Sequence, residues 1–180
     1  MKSLRIILLA VSAAVIYGIV HDQVTARVCV EYFTIGHPII IPTYSPTILG
    51  LFWGIFATWW VGLPLGALLA AAARIGPEPK LEARDLVVPV VVLCSIMLAG
   101  ALCSGIAGYL LAENGAISMP APYSFRVPSD RHAVFLADLF AHNASYLVGC
   151  IGGLVLAVVV WMRRARRRSA RIPTVQESGA

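Results

Sequence analysis

Residues 86–111 read LVVPVVVLCSIMLAGALCSGIAGYLL, a run without a charged side chain. An α-helix rises about 1.5 Å per residue, and about 20 apolar residues cross the hydrocarbon core of a bilayer. Three further apolar runs lie at about 4–20, 47–73 and 134–162. Together the four runs predict an all-α protein, a bundle of four transmembrane helices.

The composition supports this fold class. The chain has 180 residues, of which 59% are hydrophobic and only 13% are charged, against about 25% charged in soluble domains. The four cysteines form no CxxC pair, so neither a disulfide framework nor a zinc motif is indicated. We predict one membrane domain over residues 1–162 and a basic cytoplasmic tail over 163–180.

The distribution of basic residues predicts the orientation, since Lys and Arg concentrate on the cytoplasmic side of a membrane protein. A cytoplasmic N-terminus places most of the basic residues on that side: Lys2, Arg5, Arg74, Lys80, Arg84, Arg163, Arg164, Arg166, Arg167, Arg168 and Arg171. Both termini are therefore predicted inside. The tail from Arg163 to Arg171 is typical of a topology anchor that attracts anionic lipid headgroups, and we expect no nucleic-acid partner.

The two longer connections, 21–46 and 112–133, then lie outside. Three prolines predict an irregular loop in the second. From His21 to Ile35 there is no Gly or Pro, which predicts a long first helix that extends past the outer face and ends at residues 36–38. The first run could alternatively be a signal peptide cleaved after Ala13, but it continues unbroken to Val20, which favours a span.

The second run carries glycines in small-xxx-small spacing, as Gly50 with Gly54 and Gly62 with Gly66. Such pairs let helix backbones approach closely in lipid. Pro64 lies in the same run and predicts a kink there.

Two stretches concentrate side chains that bind metals or protons: HDQVTARVCVEYFTIGHP at 21–38 and ADLFAHNASY at 137–146. Asp138, His142 and Tyr146 share one helix face at i, i+4 and i+8. His21 lies about 24 Å along its helix from Arg5, and His142 about 31 Å from Arg163 at 1.5 Å per residue. If the first and last helices are neighbours, their polar groups meet at similar depth.

Ionisable groups inside a membrane are costly and usually functional. Neutral imidazoles with carboxylates suit Zn, Fe, Mn or Cu. We therefore predict a transition-metal site at the outer face of the bundle, with ligands His21, Asp22, Asp138 and His142. Four residues would surround it: Glu31, His37, Asn143 and Tyr146. No HExxH spacing accompanies them, and the pattern assigns no catalytic residue.

Three other interpretations of the same residues stay open. His21 and His142 could ligate a haem b as a bis-histidine pair. Asp138 and His142 could relay protons or ions. The polar cluster could also only pin helices together, in a structural, assembly or transport-accessory subunit that works with other membrane proteins.

The runs YGIVHDQVTARVCVEYFTIGHP, ATWWVGLPLG and FLADLFAHNASYLVG resemble a family of small bacterial multi-pass membrane proteins without an assigned activity. The resemblance covers most of residues 17–153. It implies a location in the bacterial inner membrane and implies no ligand or reaction.

Overall fold

The computed structural model describes residues 1–76 and 79–169, with side chains described up to residue 166. Regular structure in these residues is helical throughout. Two short 3-10 turns, Tyr123–Phe125 and Ser129–Arg131, interrupt the loop before the last helix. The six α-helices are α1 (Lys2–Val28), α2 (Val30–Thr34), α3 (Pro46–Phe56), α4 (Trp59–Arg74), α5 (Ala83–Glu113) and α6 (His132–Ser169).

Four helical segments are long and apolar enough to cross a membrane: α1, α3 with α4, α5, and α6. The predicted all-α fold with four spans is confirmed at this level. The helices exceed the predicted runs, because polar residues such as His21 at the end of α1 continue the helix. The predicted basic tail covers residues 163–180, and from residue 170 onward it lies outside the described residues.

The helices are arranged around a square. α1 packs along α3 and α4 on one side and against α5 on the other, and α6 packs against α5 and α4. α1 and α6 therefore face each other across the diagonal, with little backbone contact. An up-and-down bundle allows these two helices to be neighbours, but here they do not pack along each other. Their inward-facing side chains nevertheless meet, because a diagonal pair shares the centre of the bundle.

The second span is broken between α3 and α4 at Ala57 and Thr58. The Thr58 hydroxyl donates to the Gly54 carbonyl at 2.5 Å, and the Thr58 N–H bonds to Ile55 O in a tighter turn. The interruption therefore lies at Ala57–Thr58, whereas Pro64, where we predicted the kink, lies inside α4.

The glycines of the second span line its contact with α1, as their spacing predicted. A Cβ placed on Gly54 would lie 2.5 Å from the Ile19 backbone nitrogen, and one on Gly50 would lie 2.9 Å from the Asp22 carbonyl. These separations are below van der Waals contact. Glycine is thus required where α3 lies directly against α1.

The first helix ends earlier than predicted. α1 stops at Val28, and Cys29 adopts an extended backbone with φ −146° and ψ 93°. The chain then bends into α2, so the helix does not continue to residue 36. We call residues 29–37 the cover, because this segment folds back over the end of the bundle.

Two buried or half-buried arginines fasten the ends of the bundle. Arg164 of α6 donates to the carbonyls of Ala72, Ile75 and Pro79 at 2.6–2.9 Å, which ties α6 to the end of α4. At the opposite end, Arg131 donates to Val28 O at 3.0 Å and pairs with the cover. The register of α6 is thereby set at both ends.

Candidate metal centre

Three buried side chains converge at the centre of the bundle, near the end closed by the cover. His21 and Asp22 come from α1 and His142 comes from α6, and one ligand atom from each lies within 4.8 Å of the others. The residues are only 5–7% exposed. Two ligands on one zinc-sized ion are about 3.3–4.2 Å apart, given metal–ligand distances of about 2.0–2.1 Å. Small side-chain adjustments would therefore bring the group around one ion.

His142 is oriented by its own helix. Its Nδ1 donates a hydrogen bond to the carbonyl of Asp138, one turn earlier, at 2.7 Å. A proton on Nδ1 leaves Nε2 with a free lone pair in the neutral imidazole. That Nε2 lies 3.3 Å from Oδ1 of Asp22. A lone pair facing a carboxylate oxygen is favourable only if a proton or a cation lies between them.

Buried polar atoms normally have hydrogen-bond partners. Among the described residues, three buried side-chain atoms here have none: Nε2 of His21, Nε2 of His142 and Oδ2 of Asp138. The His142–Asp22 separation satisfies an ion-pair distance, but its geometry is not that of a hydrogen bond. These unsatisfied atoms lie in and beside the cluster, and a cation bound there would take the place of the missing partner of the imidazole nitrogens.

Asp138 is the fourth predicted ligand. It is 2% exposed, yet its carboxylate is not part of the group formed by His21, Asp22 and His142. Its backbone carbonyl instead orients His142. A carboxylate near a metal ligand also offsets the charge of a bound cation. Asp138 thus supports the cluster from beside it.

Aromatic rings enclose the cluster. The ring of Tyr32 lies 4.4 Å from that of His142, and Phe33 lies 5.7 Å from it. Tyr17 stacks on His21 at 5.7 Å, and the His21 and His142 rings meet edge to face at 4.6 Å. The rings separate these sides of the cluster from bulk water, which strengthens electrostatic interactions within the site.

Glu31, which we predicted beside the site, belongs to the cover. Its Oε2 lies 3.2 Å from Nη2 of Arg131 and accepts a hydrogen bond from the Cys29 thiol. Burial opposes ionisation of Glu31, but hydrogen bonds from the backbone and Cys29, together with Arg131, outweigh it and lower the pKa below 4.5. The Glu31 carboxylate therefore forms an ion pair with Arg131 that keeps the cover packed against the end of the bundle.

His37 also holds the cover. Its Nδ1 donates to the carbonyl of Tyr32 at 2.9 Å, and its ring packs against Trp53 at 4.5 Å. Burial lowers the pKa of His37 below 6.5. The imidazole is therefore kept neutral inside the aromatic layer.

The remaining predicted residues differ in their placement. Tyr146 points its hydroxyl at the carbonyl of Ala57, 3.4 Å away, so it contacts the helix break in the second span. Asn143 is exposed on the outside of α6. One polar pair was not predicted from the sequence: the hydroxyls of Tyr17 and Ser145 lie 2.7 Å apart. The i, i+4 spacing of Tyr17 and His21 is the signal that would have found it.

A cavity of about 110 Å³ extends from the cluster into the bundle, between α1, α4, α5 and α6. His21, Asp22 and His142 form its polar end, together with the hydroxyls of Tyr17 and Ser145. Its other end is lined by small and apolar residues, among them Ala10, Gly62, Leu93 and Met97. The cluster thus borders space that a water-sized molecule can enter.

The fold and site define a multi-pass helical membrane protein with a buried His/Asp/His group. No family model, no curated protein and no solved structure matches the chain. The resemblance to a bacterial family therefore stays a prediction.

Proposed function

We propose that this protein is an integral membrane metalloprotein that binds one divalent transition-metal ion through His21, Asp22 and His142. The observation that carries the proposal is the convergence of their ligand atoms within 4.8 Å inside an apolar bundle. Two imidazoles and one carboxylate form the ligand set of many open zinc and non-haem iron sites. Zn²⁺ and Fe²⁺ are therefore the first candidates, with Mn and Cu behind them.

Charge balance supports a bound cation. Asp22 is buried here, and burying an uncompensated charge is costly. The Asp22 carboxylate with two neutral imidazoles leaves the cluster negative, and a cation would compensate that charge. Arg131, the nearest basic residue on this end of α6, is paired with Glu31 instead.

Hydrogen bonding supports the same assignment. The bond from Nδ1 of His142 to the Asp138 carbonyl selects the tautomer that presents Nε2 to an ion. Metal-binding histidines commonly use their second nitrogen in this way. When bound, such an ion polarises a coordinated group or exchanges an electron. The cavity beside the cluster would let a small molecule reach a bound ion.

The geometry favours a small ion over haem. The His21 and His142 rings are in edge contact at 4.6 Å, and a porphyrin plane between bis-histidine ligands separates the two rings further. Haem ligation would require α1 and α6 to move apart.

We infer that both termini face the cytoplasm of a bacterium and that the protein resides in the inner membrane. The support is the excess of Lys and Arg near the ends that carry residues 2–5 and 163–166. A reporter that is active only outside the cytoplasm, fused after Ala180, is expected to be inactive. An active reporter would reverse the assignment.

The metal proposal is tested on full-length protein purified in mild detergent and reconstituted with Zn²⁺ or Fe²⁺ before elemental analysis. We expect about one ion per wild-type chain and a loss of affinity of at least about tenfold in His21→Gln, Asp22→Asn and His142→Gln. His132→Gln is the matched control, because His132 bonds to the Val127 carbonyl instead of facing the cluster. It should retain the ion.

Two outcomes would overturn the proposal. A wild-type protein that unfolds cooperatively yet binds neither ion would leave the cluster a helix-pinning element of a structural or accessory subunit. A Soret band in the purified protein would select haem. Circular dichroism of each variant separates loss of the ion from loss of the fold.

A further inference from the structure

The hydroxyl groups of Tyr17 and Ser145 lie beside the proposed ion site but do not belong to its ligand set. They are 2.7 Å apart and form a hydrogen bond in which either oxygen can be the donor. Tyr17 belongs to α1 and Ser145 to α6, so the pair joins the same two helices as the His/Asp/His group. Both side chains line the cavity of about 110 Å³ that extends from that group into the bundle.

The hydroxyl pair lies one helical turn deeper in the bundle than the imidazoles. Tyr17 precedes His21 by four residues on α1, and Ser145 follows His142 by three residues on α6. At about 1.5 Å per residue, these steps are about 6 Å and about 4.5 Å along the two helices. Because successive spans alternate in direction, both steps point away from the cover. The hydroxyls therefore lie on the cavity side of the cluster.

One O–H group of the pair is left over. Two hydroxyls carry two hydrogen-bond donors, and the bond between them uses one. Neither oxygen has a second side-chain hydrogen bond in the described part of the chain. The other hydroxyls on the cavity wall are engaged, since Thr58 donates to a carbonyl of α3 and Tyr146 points at the break in the second span. The Tyr17–Ser145 pair is thus the hydroxyl donor that remains available to a molecule in the cavity.

The chemistry of the pair fits a water molecule on the ion. An open zinc-type site has three protein ligands and a water molecule in the fourth position, and the ion makes that water more acidic. Such a ligand alternates between water, which donates hydrogen bonds, and hydroxide, which also accepts them. A hydroxyl group can donate or accept, whereas a carboxylate only accepts and an ammonium group only donates. Farther into the cavity the wall is apolar, with Leu65, Leu93 and Met97 among its residues.

We propose that the fourth coordination position of the ion opens into this cavity and holds a water molecule that hydrogen-bonds to the Tyr17–Ser145 pair. The inference rests on the proposed metal site and adds that this site is open, with one exchangeable ligand, instead of closed and structural. The His/Asp/His group supplies the fixed ligands, and the two hydroxyls orient the exchangeable one. Tyr17 and Ser145 are therefore positioning residues that bind the water and not the ion.

The test uses full-length protein in mild detergent, loaded with Co²⁺ in place of Zn²⁺ because Co²⁺ absorbs visible light and is paramagnetic. Sodium azide displaces water from an open site, and the change in the visible spectrum measures its affinity. We expect wild type to bind azide, and the electron paramagnetic resonance signal of its Co²⁺ to broaden in ¹⁷O-enriched water. A loaded wild-type protein that shows neither response has a closed site, which would overturn the inference.

A double variant, Tyr17→Phe with Ser145→Ala, tests the role of the pair. It removes both oxygens and keeps the ring that stacks on His21, so the packing of α1 is retained. Azide on the ion accepts a hydrogen bond from the pair, and loss of that bond should weaken azide binding at least about tenfold. Tyr109→Phe with Ser95→Ala is the matched control, because both residues are exposed on α5. It should leave the azide affinity unchanged.

Circular dichroism checks that the double variant folds. If its helix content falls, Tyr17→Phe alone gives the same comparison, because it removes a single atom. Its azide affinity should be at least about threefold below that of wild type, since the Ser145 hydroxyl remains. An azide affinity equal to that of wild type would overturn the role of the pair, and so would a control that weakens binding as much as the variant.

Metal content, measured on the same samples, separates this inference from the metal proposal. The double variant should hold as much ion as wild type, because neither hydroxyl is a ligand. A wild-type protein without an ion would overturn the metal proposal and the inference together. Stoichiometric ion without an azide response would overturn only the inference. Loss of the ion from a folded double variant would also overturn it, because a hydroxyl would then be a ligand of the ion itself.

Discussion

Nε2 of His142 lies 3.3 Å from Oδ1 of Asp22, although their helices occupy opposite corners of the bundle. The contact crosses the whole core and links the first span to the last. Since neither helix packs directly along the other, α1 and α6 contact each other mainly through this pair and the side chains next to it.

The first prediction concerns the energetic coupling of this pair. Asp22→Asn and His142→Gln should each stabilise the metal-free protein by roughly 0.5–1.5 kcal/mol, because an amide N–H replaces one of two acceptors that face each other without a hydrogen bond. The double variant should gain less than the sum of the single effects, with a coupling of at least about 0.5 kcal/mol. Reversible unfolding in mixed detergent measures all four free energies. Strict additivity would mean that the two side chains do not interact.

The second prediction concerns the contact between α1 and α3. Gly54→Ala should destabilise the protein by about 1–3 kcal/mol, because the new methyl group overlaps the Ile19 backbone. Gly100→Ala is the control: its Cβ would meet only Val148, at 3.5 Å, and alanine favours the helix. Thermal unfolding compares the two. Equal melting temperatures of the two variants would show that α1 and α3 can move apart for the new methyl group without loss of stability.

The third prediction concerns pH. Burial lowers the pKa of His37, with Tyr32, His142 and Asp22 as its polar surroundings. The unfolded chain therefore binds a proton more readily than the folded one, and the stability from neutral His37 is complete above pH 6.5 and lost as the pH falls below it. One such group changes the unfolding free energy by at most about 1.4 kcal/mol per pH unit.

His37→Gln keeps a donor for the Tyr32 carbonyl and removes the titration. Between pH 7.5 and 5.5, wild type should therefore lose more thermal stability than His37→Gln. Glu31 does not contribute in this window, because its lowered pKa places its titration at more acidic pH. Parallel losses in both proteins would assign the pH dependence to other groups.

The fourth prediction uses Cys29 as a reporter of the cover. Burial raises the pKa of its thiol to about 12, so the thiolate that reacts with maleimides is scarce at neutral pH. In a protein with its other cysteines replaced by alanine, Cys29 should label slowly. Arg131→Ala releases Glu31 and the end of α1, and should speed labelling at least about tenfold if opening costs about 1.4 kcal/mol less.

Arg126→Ala is the control for that experiment, since Arg126 is exposed in the loop before α6. It should label as slowly as the parent. Fast labelling of the parent would show that the cover is open, and equal rates in all three would show that Arg131 does not hold it.

The four spans could be predicted because long uncharged runs, such as residues 86–111, are too apolar for water and long enough to cross a bilayer as helices. The pairing of His21 and Asp22 with His142 could also be predicted, since ionisable groups in apolar helices need partners. The rise per residue of an α-helix placed His21 and His142 at similar depths in the bundle. These inferences depend on composition and spacing alone.

The remaining features depend on tertiary packing. No Gly or Pro marks the bend at Cys29, which forms because Arg131 and the aromatic layer hold the cover down. The break at Thr58 depends on a hydroxyl bonded to Gly54. Asp138 shares a helix face with His142, but its carboxyl group is not part of the group formed by His21, Asp22 and His142, and the spacing alone does not distinguish the two roles.

The diagonal placement of α1 and α6 has a consequence for biogenesis. The first span enters the membrane carrying half of the site, and its counterpart is synthesised more than a hundred residues later. Until the fourth span is inserted, His21 and Asp22 lack His142 as a partner. The fourth span then places Asp138 and His142 against helices that are already in the membrane. Assembly of the centre therefore requires insertion of the fourth span, and an ion would be captured only by molecules in which that span is in place.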